Sequence, residues 1–246
     1  MARPREFDEE KVLDAAADAF WINGYEATST RDLAACTGLT ASSIYAAFGD
    51  KRNLFRRALD HYLGILRERM TRLESTESPA WAITGFFDEI IERSLSDRLQ
   101  RGCMLVNSAL ESSPRDPAFR TDITRELTMI EDFFRRCVIG GQQAGEIPPT
   151  LPADDTAAQL LSLMVGIRVF ARVRPERALM TGAVRQTLTT LGLPWPPKPA
   201  NSRHTLRPST VPDDKFMKPK STRLKSTVPR STVPKSAAPK STSKKR

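Results

Sequence analysis

Residues 30–48 constrain the fold of this chain more than any other segment, because they contain two short helical patterns separated by a glycine. Leu33 and Ala34 give the first pattern an apolar side, and Gly38 supplies a tight turn. The second pattern has few long side chains and is anchored from beneath by Leu39, Ile44 and Phe48. Its outward side consists of hydroxyls, a phenol and methyl groups: Thr40, Ala41, Ser42, Ser43, Tyr45 and Ala47. A slim helix of this kind can enter a DNA major groove, so the segment predicts a helix-turn-helix.

The flanking segments predict a helix on each side of this pair. Upstream, Asp8–Asn23 repeats apolar residues every three or four positions and ends at Gly24. Downstream, a helix begins at Lys51 and continues to Arg72. With the Phe-x-x-x-Gly-Tyr of residues 20–25, Gly38-Leu39-Thr40 and Ile44-Tyr45-x-x-Phe48, the first 60 residues resemble the DNA-binding domain of the TetR family of transcriptional regulators.

The resemblance implies a set of DNA-contacting residues that the local chemistry supports. Hydroxyls and free N–H groups at helix N-termini can hold phosphates, and a lysine can do the same as a point charge. The implied set is Thr28, Ser29, Thr30, Thr40, Ala41, Ser42, Ser43, Tyr45, Ala47, Phe48 and Lys51. Two alternatives stay open, namely that one of the hydroxyls at 28–30 is only a helix cap and that Tyr45 is a core residue. Arg3 and Arg5 could enter the minor groove or could simply be solvated.

The positive charge of the chain is concentrated in its last fifth. The 246 residues carry a net charge of +9, but residues 196–246 contain 14 Lys/Arg and 2 Asp/Glu, which leaves the remainder slightly acidic. The tail is rich in Pro, Ser and Thr and repeats Ser-Thr-Val-Pro, so we expect residues 194–246 to be disordered. It resembles the basic tails of nucleoid-type DNA-binding proteins. It would either bind phosphates without sequence preference or be a passive extension.

The remaining pattern is helical throughout, so we expect an all-α protein with a helix-turn-helix domain at 1–52 and a second helical domain at 53–193. Residues 154–172 form a helix that is apolar on nearly every side, which its own domain is not expected to cover. A second copy of the chain would cover the rest, and the resemblance implies a homodimer formed by this helix and the last one, 176–191. The interface set is Leu161, Val165, Arg168, Val169, Val184, Leu188 and Leu191. The alternative is the core helix of a monomer.

The resemblance also implies that the second domain senses a small, mostly apolar effector. The candidate pocket set is Phe86, Phe87, Cys103, Met104, Asn107, Ile130, Phe133, Phe134 and Met164. Aromatic and methionine side chains at helical spacing are equally typical of a plain core, and that alternative stays open. Asn107 is singled out because a buried amide needs partners. Cys103 could be a redox sensor, although an inert buried thiol is favoured.

Other function classes find little support in the sequence. Three unpaired cysteines suit a reducing cytoplasm, no run approaches the roughly 18 apolar residues of a membrane span, and no signal peptide is evident. No nucleotide-binding or hydrolase motif and no metal-ligand spacing occur, so we expect no enzyme activity, cofactor or metal. The favoured function is a dimeric, cytoplasmic, nucleoid-associated repressor that an effector releases from a palindromic double-stranded DNA operator. The alternative is an architectural DNA-binding protein driven by the tail.

Overall fold

The computed structural model describes residues 7–111 and 116–195, and all regular secondary structure in these ranges is helical. The expectations for Arg3, Arg5 and residues 196–246 lie outside the described part. The helices are α1 (Glu9–Asn23), α2 (Thr30–Thr37), α3 (Ala41–Phe48), α4 (Lys51–Thr76), α5 (Pro79–Ser96), α6 (Met104–Glu111), α7 (Pro117–Gln143), α8 (Ala153–Val173) and α9 (Arg177–Thr190). The all-α prediction is confirmed.

Side-chain caps fix where the N-terminal helices begin. The carboxylate of Asp8 accepts a hydrogen bond from the backbone N–H of Lys11, and that of Asp50 accepts one from Asn53. Ser29 and Asp32 form a reciprocal capping box at the start of α2. Gly38 ends α2 in the left-handed conformation at φ 72°, as the sequence predicts, because a side chain would be strained there.

Helix α7 contains a glycine pair, Gly140 and Gly141, a pattern that is typical of a helix end. The helix nevertheless continues to Gln143, and the left-handed turn comes at Gly145, with φ 71°. Gly141 is required for packing instead, because a Cβ atom there would lie only 2.6 Å from Cδ1 of Ile147. A glycine pair therefore marked a close contact and not a helix end.

One continuous apolar core joins the helices of the described chain. Helices α1 to α4 enclose one end of it, where Phe20, Leu33, Ile44 and Phe55 are buried. Helices α5, α7, α8 and α9 pack around the other end, and α4 reaches both. The core continues past residue 52, so it does not mark a domain boundary there, and the predicted boundary stays a prediction.

Candidate DNA-binding surface and its support

The outward side of α3 is a low, polar surface, as the sequence predicts. Ala41, Ser42 and Ser43 are exposed, and the side chain of Tyr45 is 45% exposed. Ile44 and Phe48 are buried beneath them. The helix therefore rests on its large apolar side chains and presents small ones.

Three residues of the implied DNA-contacting set are not on this surface. Phe48 is buried, and its ring lies 6.2 Å from that of Phe7. Ala47 is half-buried against the core, because it lies on the same side of the helix as Ile44 and Phe48; the neighbouring Ala46 is exposed instead. Thr28 is fully buried, and its hydroxyl donates to the carbonyl of Gly24 at 2.6 Å. The structure thus assigns Thr28 to closing the loop between α1 and α2.

Hydroxyl groups connect the start of α2 with α3. The Tyr45 hydroxyl lies 2.9 Å from Oγ1 of Thr30, the first residue of α2. Oγ1 of Thr40 caps α3 by accepting from the backbone N–H of Ser43 at 3.1 Å and lies 2.9 Å from Oγ of Ser42. Such a row of hydroxyls can donate to DNA phosphates while the helix ends supply N–H groups.

Two cations flank these hydroxyls. The Lys51 ammonium donates to the carbonyl of Glu26 at 3.3 Å and lies 4.5 Å from the ring centre of Tyr25. Arg31, which the sequence analysis missed, is exposed next to Thr30 and has no ion pair among the residues that the structure describes. Arg31 directly follows Ser29 and Thr30 at the start of α2, and this position was the signal in the sequence that could have identified it. The hydroxyl of Ser29, by contrast, is engaged in the capping box, as the capping alternative allows.

Residues from the second half of the chain contact the helices α1 and α4 that flank the helix-turn-helix. The Trp21 indole N–H of α1 donates to the carbonyl of Arg101 at 3.2 Å, and the Arg101 guanidinium lies 4.1 Å from the Trp21 ring centre. Arg101 also pairs with Asp18 at 3.0 Å, although burial still raises the pKa of that carboxyl. Ion pairs join α4 to residues of α7 or the residue before it: Arg52–Asp116, Arg56–Asp122 and Arg67–Glu126. These contacts connect the second half of the chain to α1 and α4.

The candidate effector pocket is filled by its own side chains. Phe86, Phe87, Phe133 and Phe134 are all fully buried and contact one another, with ring centres 5.1 to 5.8 Å apart. Cys103, Met104, Ile130 and Met164 are buried with them in the core. The amide of Asn107 donates to the carbonyl of Arg101 at 2.9 Å and so has a partner within the protein. This arrangement favours the plain-core alternative for the set.

The candidate dimer residues divide into two groups. On α8, Leu161 and Val165 are half-buried and Val169 is 37% exposed, and the stripe continues to Val173 at 69%. The other four residues are buried within one copy of the chain, which does not favour them as interface residues: Arg168, Val184, Leu188 and Leu191. Helix α9 packs inward with its apolar side, which the sequence pattern could not distinguish from an outward-facing seam.

Helix α8 is apolar enough to be compared with a membrane span. It is long and apolar enough to cross a membrane by length and composition, and 33% of its apolar window is buried in the structure. Core helices of soluble proteins pass the same test, and α8 packs against α5, α7 and α9.

A slim helix on a helix-turn-helix scaffold, joined to a larger helical unit, defines the class of this protein as a DNA-binding regulator. Two family models match it: "Bacterial regulatory proteins, tetR family" over residues 12–58 and "Tetracyclin repressor-like, C-terminal domain" over residues 81–187. The chain belongs to the TetR family of transcriptional regulators. The predicted function class, a double-stranded DNA-binding regulator, is confirmed.

Individual relatives agree with this assignment. The chain is 32% identical to the HTH-type transcriptional repressor ComR of Escherichia coli, over 79% of this chain and 91% of that protein. It is 34% identical to the uncharacterised HTH-type transcriptional regulator YezE of Bacillus subtilis, over 60% of this chain and 76% of that protein. A cysteine variant of the TetR family regulator CifR, solved with 26-base-pair double-stranded operator DNA, is 32% identical with a TM-score of 0.70. That match covers 79% of this chain and all of the CifR chain.

Proposed function

We propose that this protein is a dimeric repressor that binds a palindromic operator and leaves it when a small-molecule effector binds the second helical unit. The observation that carries the proposal is that Ser42, Ser43 and Tyr45 are exposed on a helix anchored by Ile44 and Phe48, with Thr30 of α2 bonded to Tyr45. The relatives named above include a repressor and a regulator solved on operator DNA, which supports the same role here.

The contacts on α3 suggest how the operator is read. Ala41 and Ala46 offer methyl groups to thymines, and the serine hydroxyls can bond either phosphates or base edges. No long basic side chain lies on this face of α3, so much of the specificity would come from DNA shape and bridging water. Thr30, Arg31, Tyr45 and Lys51 would hold the backbone on either side of the groove.

Dimerisation would place two copies of α3 on one face of the DNA. The stripe on α8 formed by Leu161, Val165, Val169 and Val173 is apolar and only partly covered by the chain's own core, since Val169 and Val173 are exposed. A second copy that covers it gives a two-fold axis, and a two-fold axis makes a palindromic site the natural target. The protein would act in the cytoplasm, in association with the nucleoid, without catalytic activity.

Selection of bound DNA from a random pool tests the proposal. We expect the full-length protein to enrich a short palindrome, and we expect Tyr45→Phe to weaken binding to that palindrome by about tenfold, the loss of one or two hydrogen bonds to phosphate. Thr28→Ser, which keeps the buried hydroxyl, is the matched control and should bind normally. Enrichment of no sequence, together with coating of long DNA that depends on residues 196–246, would instead support the architectural alternative.

A further inference from the structure

Three arginines lie together in the interior of the second helical unit, where helices α4, α5 and α8 meet. Arg69 of α4 is only 6% exposed and Arg168 of α8 only 9%, while Arg93 of α5 is half-buried. We call these three residues the arginine cluster. Positive charge is rarely buried without compensation, because removing an ion from water costs several kcal/mol.

Among the described residues, carboxylates compensate the cluster only in part. Glu89 of α5 pairs with Arg69 at 3.0 Å and also with Arg72, so two guanidinium groups share one carboxylate. The guanidinium of Arg168 donates from Nη1 to Oγ of Ser94 at 3.1 Å. Within the described part of the chain, neither Arg168 nor Arg93 forms an ion pair.

Burial and mutual repulsion lower the pKa of two arginines in the cluster. Burial lowers the pKa of Arg69 to about 10, and the neighbouring charge of Arg93 acts in the same direction. Burial likewise lowers the pKa of Arg93, and the charge of Arg168 adds to this while Glu89 acts in the opposite direction. An added negative charge would relieve both effects, so the site is electrostatically prepared for an anion.

A neutral hydrogen-bond donor completes the site. Tyr62 of α4 lies near Arg168, and burial raises the pKa of its phenol, which keeps the hydroxyl protonated. Among the described residues, the acceptor of that hydroxyl is Sγ of Cys103 at 3.8 Å, and a thiol sulfur is a weak acceptor. An oxygen anion would be a better acceptor for the same proton.

We propose that Arg93, Arg168 and the Tyr62 hydroxyl bind a small oxyanion, a carboxylate or phosphate group, and that the effector of this regulator carries that group. The inference rests on the proposed function, and it replaces the expectation of a mostly apolar effector. Guanidinium groups match planar carboxylates and phosphates in geometry, which is why an oxyanion fits better than a halide.

The position of Tyr62 connects this site to the DNA-binding helices. Its ring lies 4.8 Å from that of Trp21 in α1, and Trp21 is bonded to Arg101 just before α6. Cys103, the present partner of the Tyr62 hydroxyl, is in that same segment before α6. An anion that accepts the hydrogen bond of the Tyr62 hydroxyl in place of Cys103 would therefore disturb two contacts of α1, namely those of Trp21 with Tyr62 and with Arg101.

The test uses full-length protein, sodium acetate and sodium phosphate as probes, and acetamide as the neutral counterpart, at constant ionic strength. We expect acetate or phosphate, and not acetamide, to raise the melting temperature, by on the order of 5 °C at saturating probe. Arg93→Gln should melt higher than the wild type without probe, because an uncompensated charge is gone, and should no longer respond to either anion. Arg98→Gln removes an exposed arginine and should respond like the wild type.

Operator binding separates this inference from the proposed function. With a palindrome obtained by selection, we expect the active anion to weaken wild-type binding by at least fivefold and to leave Arg93→Gln unaffected. Normal operator binding without any anion-dependent stabilisation would overturn the inference while leaving the proposed function intact. Stabilisation without release of the operator would overturn the assignment of the effector to this site, and so would an Arg93→Gln variant that melts lower and still responds.

Discussion

The carboxylate of Glu111, the last residue of α6, accepts a hydrogen bond of 2.7 Å from the backbone N–H of Tyr25, which lies 86 positions earlier in the loop between α1 and α2. The same oxygen lies 3.4 Å from the N–H of Glu26. Gly24 makes the approach possible, because a Cβ atom there would lie 2.4 Å from Oε1 of Glu111. One side chain of the second helical unit thus fixes the loop that leads into the helix-turn-helix.

Removing this carboxylate should loosen the α1–α2 loop. We expect Glu111→Ala to lower the free energy of unfolding by about 1–3 kcal/mol, because two N–H groups lose a charged acceptor. Hydrogen exchange at the amides of Tyr25 and Glu26 should accelerate. Glu68→Ala removes an exposed carboxylate from α4 and should change stability by less than about 0.5 kcal/mol. Unchanged exchange at Tyr25 in Glu111→Ala would contradict the assignment.

Arg31 is expected to contact a DNA phosphate. Each phosphate contact contributes about −0.9 to the slope of the logarithm of the binding constant against the logarithm of salt concentration. Arg31→Gln should therefore make the operator-binding slope less steep by about one unit and weaken binding similarly for all sequences. Arg98→Gln, an equal change of charge in the loop before α6, should leave the slope unchanged. Equal slopes for wild type and Arg31→Gln would remove Arg31 from the DNA surface.

The exposed stripe on α8 predicts a variant that separates dimer from monomer. Val169 is 37% exposed at its centre, and an arginine there would carry an unpaired charge into the proposed interface. We expect Val169→Arg to sediment as a folded monomer and to lose most of its affinity for a palindrome. Ile65→Arg makes the same change at an equally exposed residue of α4 and should remain a dimer. A dimeric Val169→Arg protein would show that the interface lies elsewhere.

Cys137 predicts a loss of stability at alkaline pH. Burial raises the pKa of its thiol from 9.0 to about 12, so the unfolded chain releases this proton first as the pH rises. The stabilising contribution is complete below pH 9 and is lost between pH 9 and about 12, at up to roughly 1.4 kcal/mol per pH unit. In denaturant titrations between pH 8 and pH 10.5, the free energy of unfolding of Cys137→Ala should decline less steeply with pH than that of the wild type. Cys103→Ala, measured in parallel, shows the effect of losing a buried thiol as such.

Particular residues show why the sequence analysis succeeded on the fold and erred on parts of the site. Gly38 and the caps at Ser29 and Thr40 are local signals, because each acts within a few residues of its own helix end. Thr28 carries the same kind of hydroxyl as Thr30, but only the packing of the α1–α2 loop turns it inward. Val184 and Leu188 have the spacing of an interface seam, and only the contact of α9 with α5 and α8 shows that their seam lies inside one chain.

The sequence by itself determined the order of helices, the helix-turn-helix and the family, because caps, glycine turns and apolar periodicity act over a few residues. Only the tertiary structure decided which hydroxyls face DNA, which aromatic rings fill the core and which charges meet in the interior. Arg69, Arg93 and Arg168 belong to three different helices. Their proximity depends on how those helices pack, and packing brings together residues that no local pattern connects.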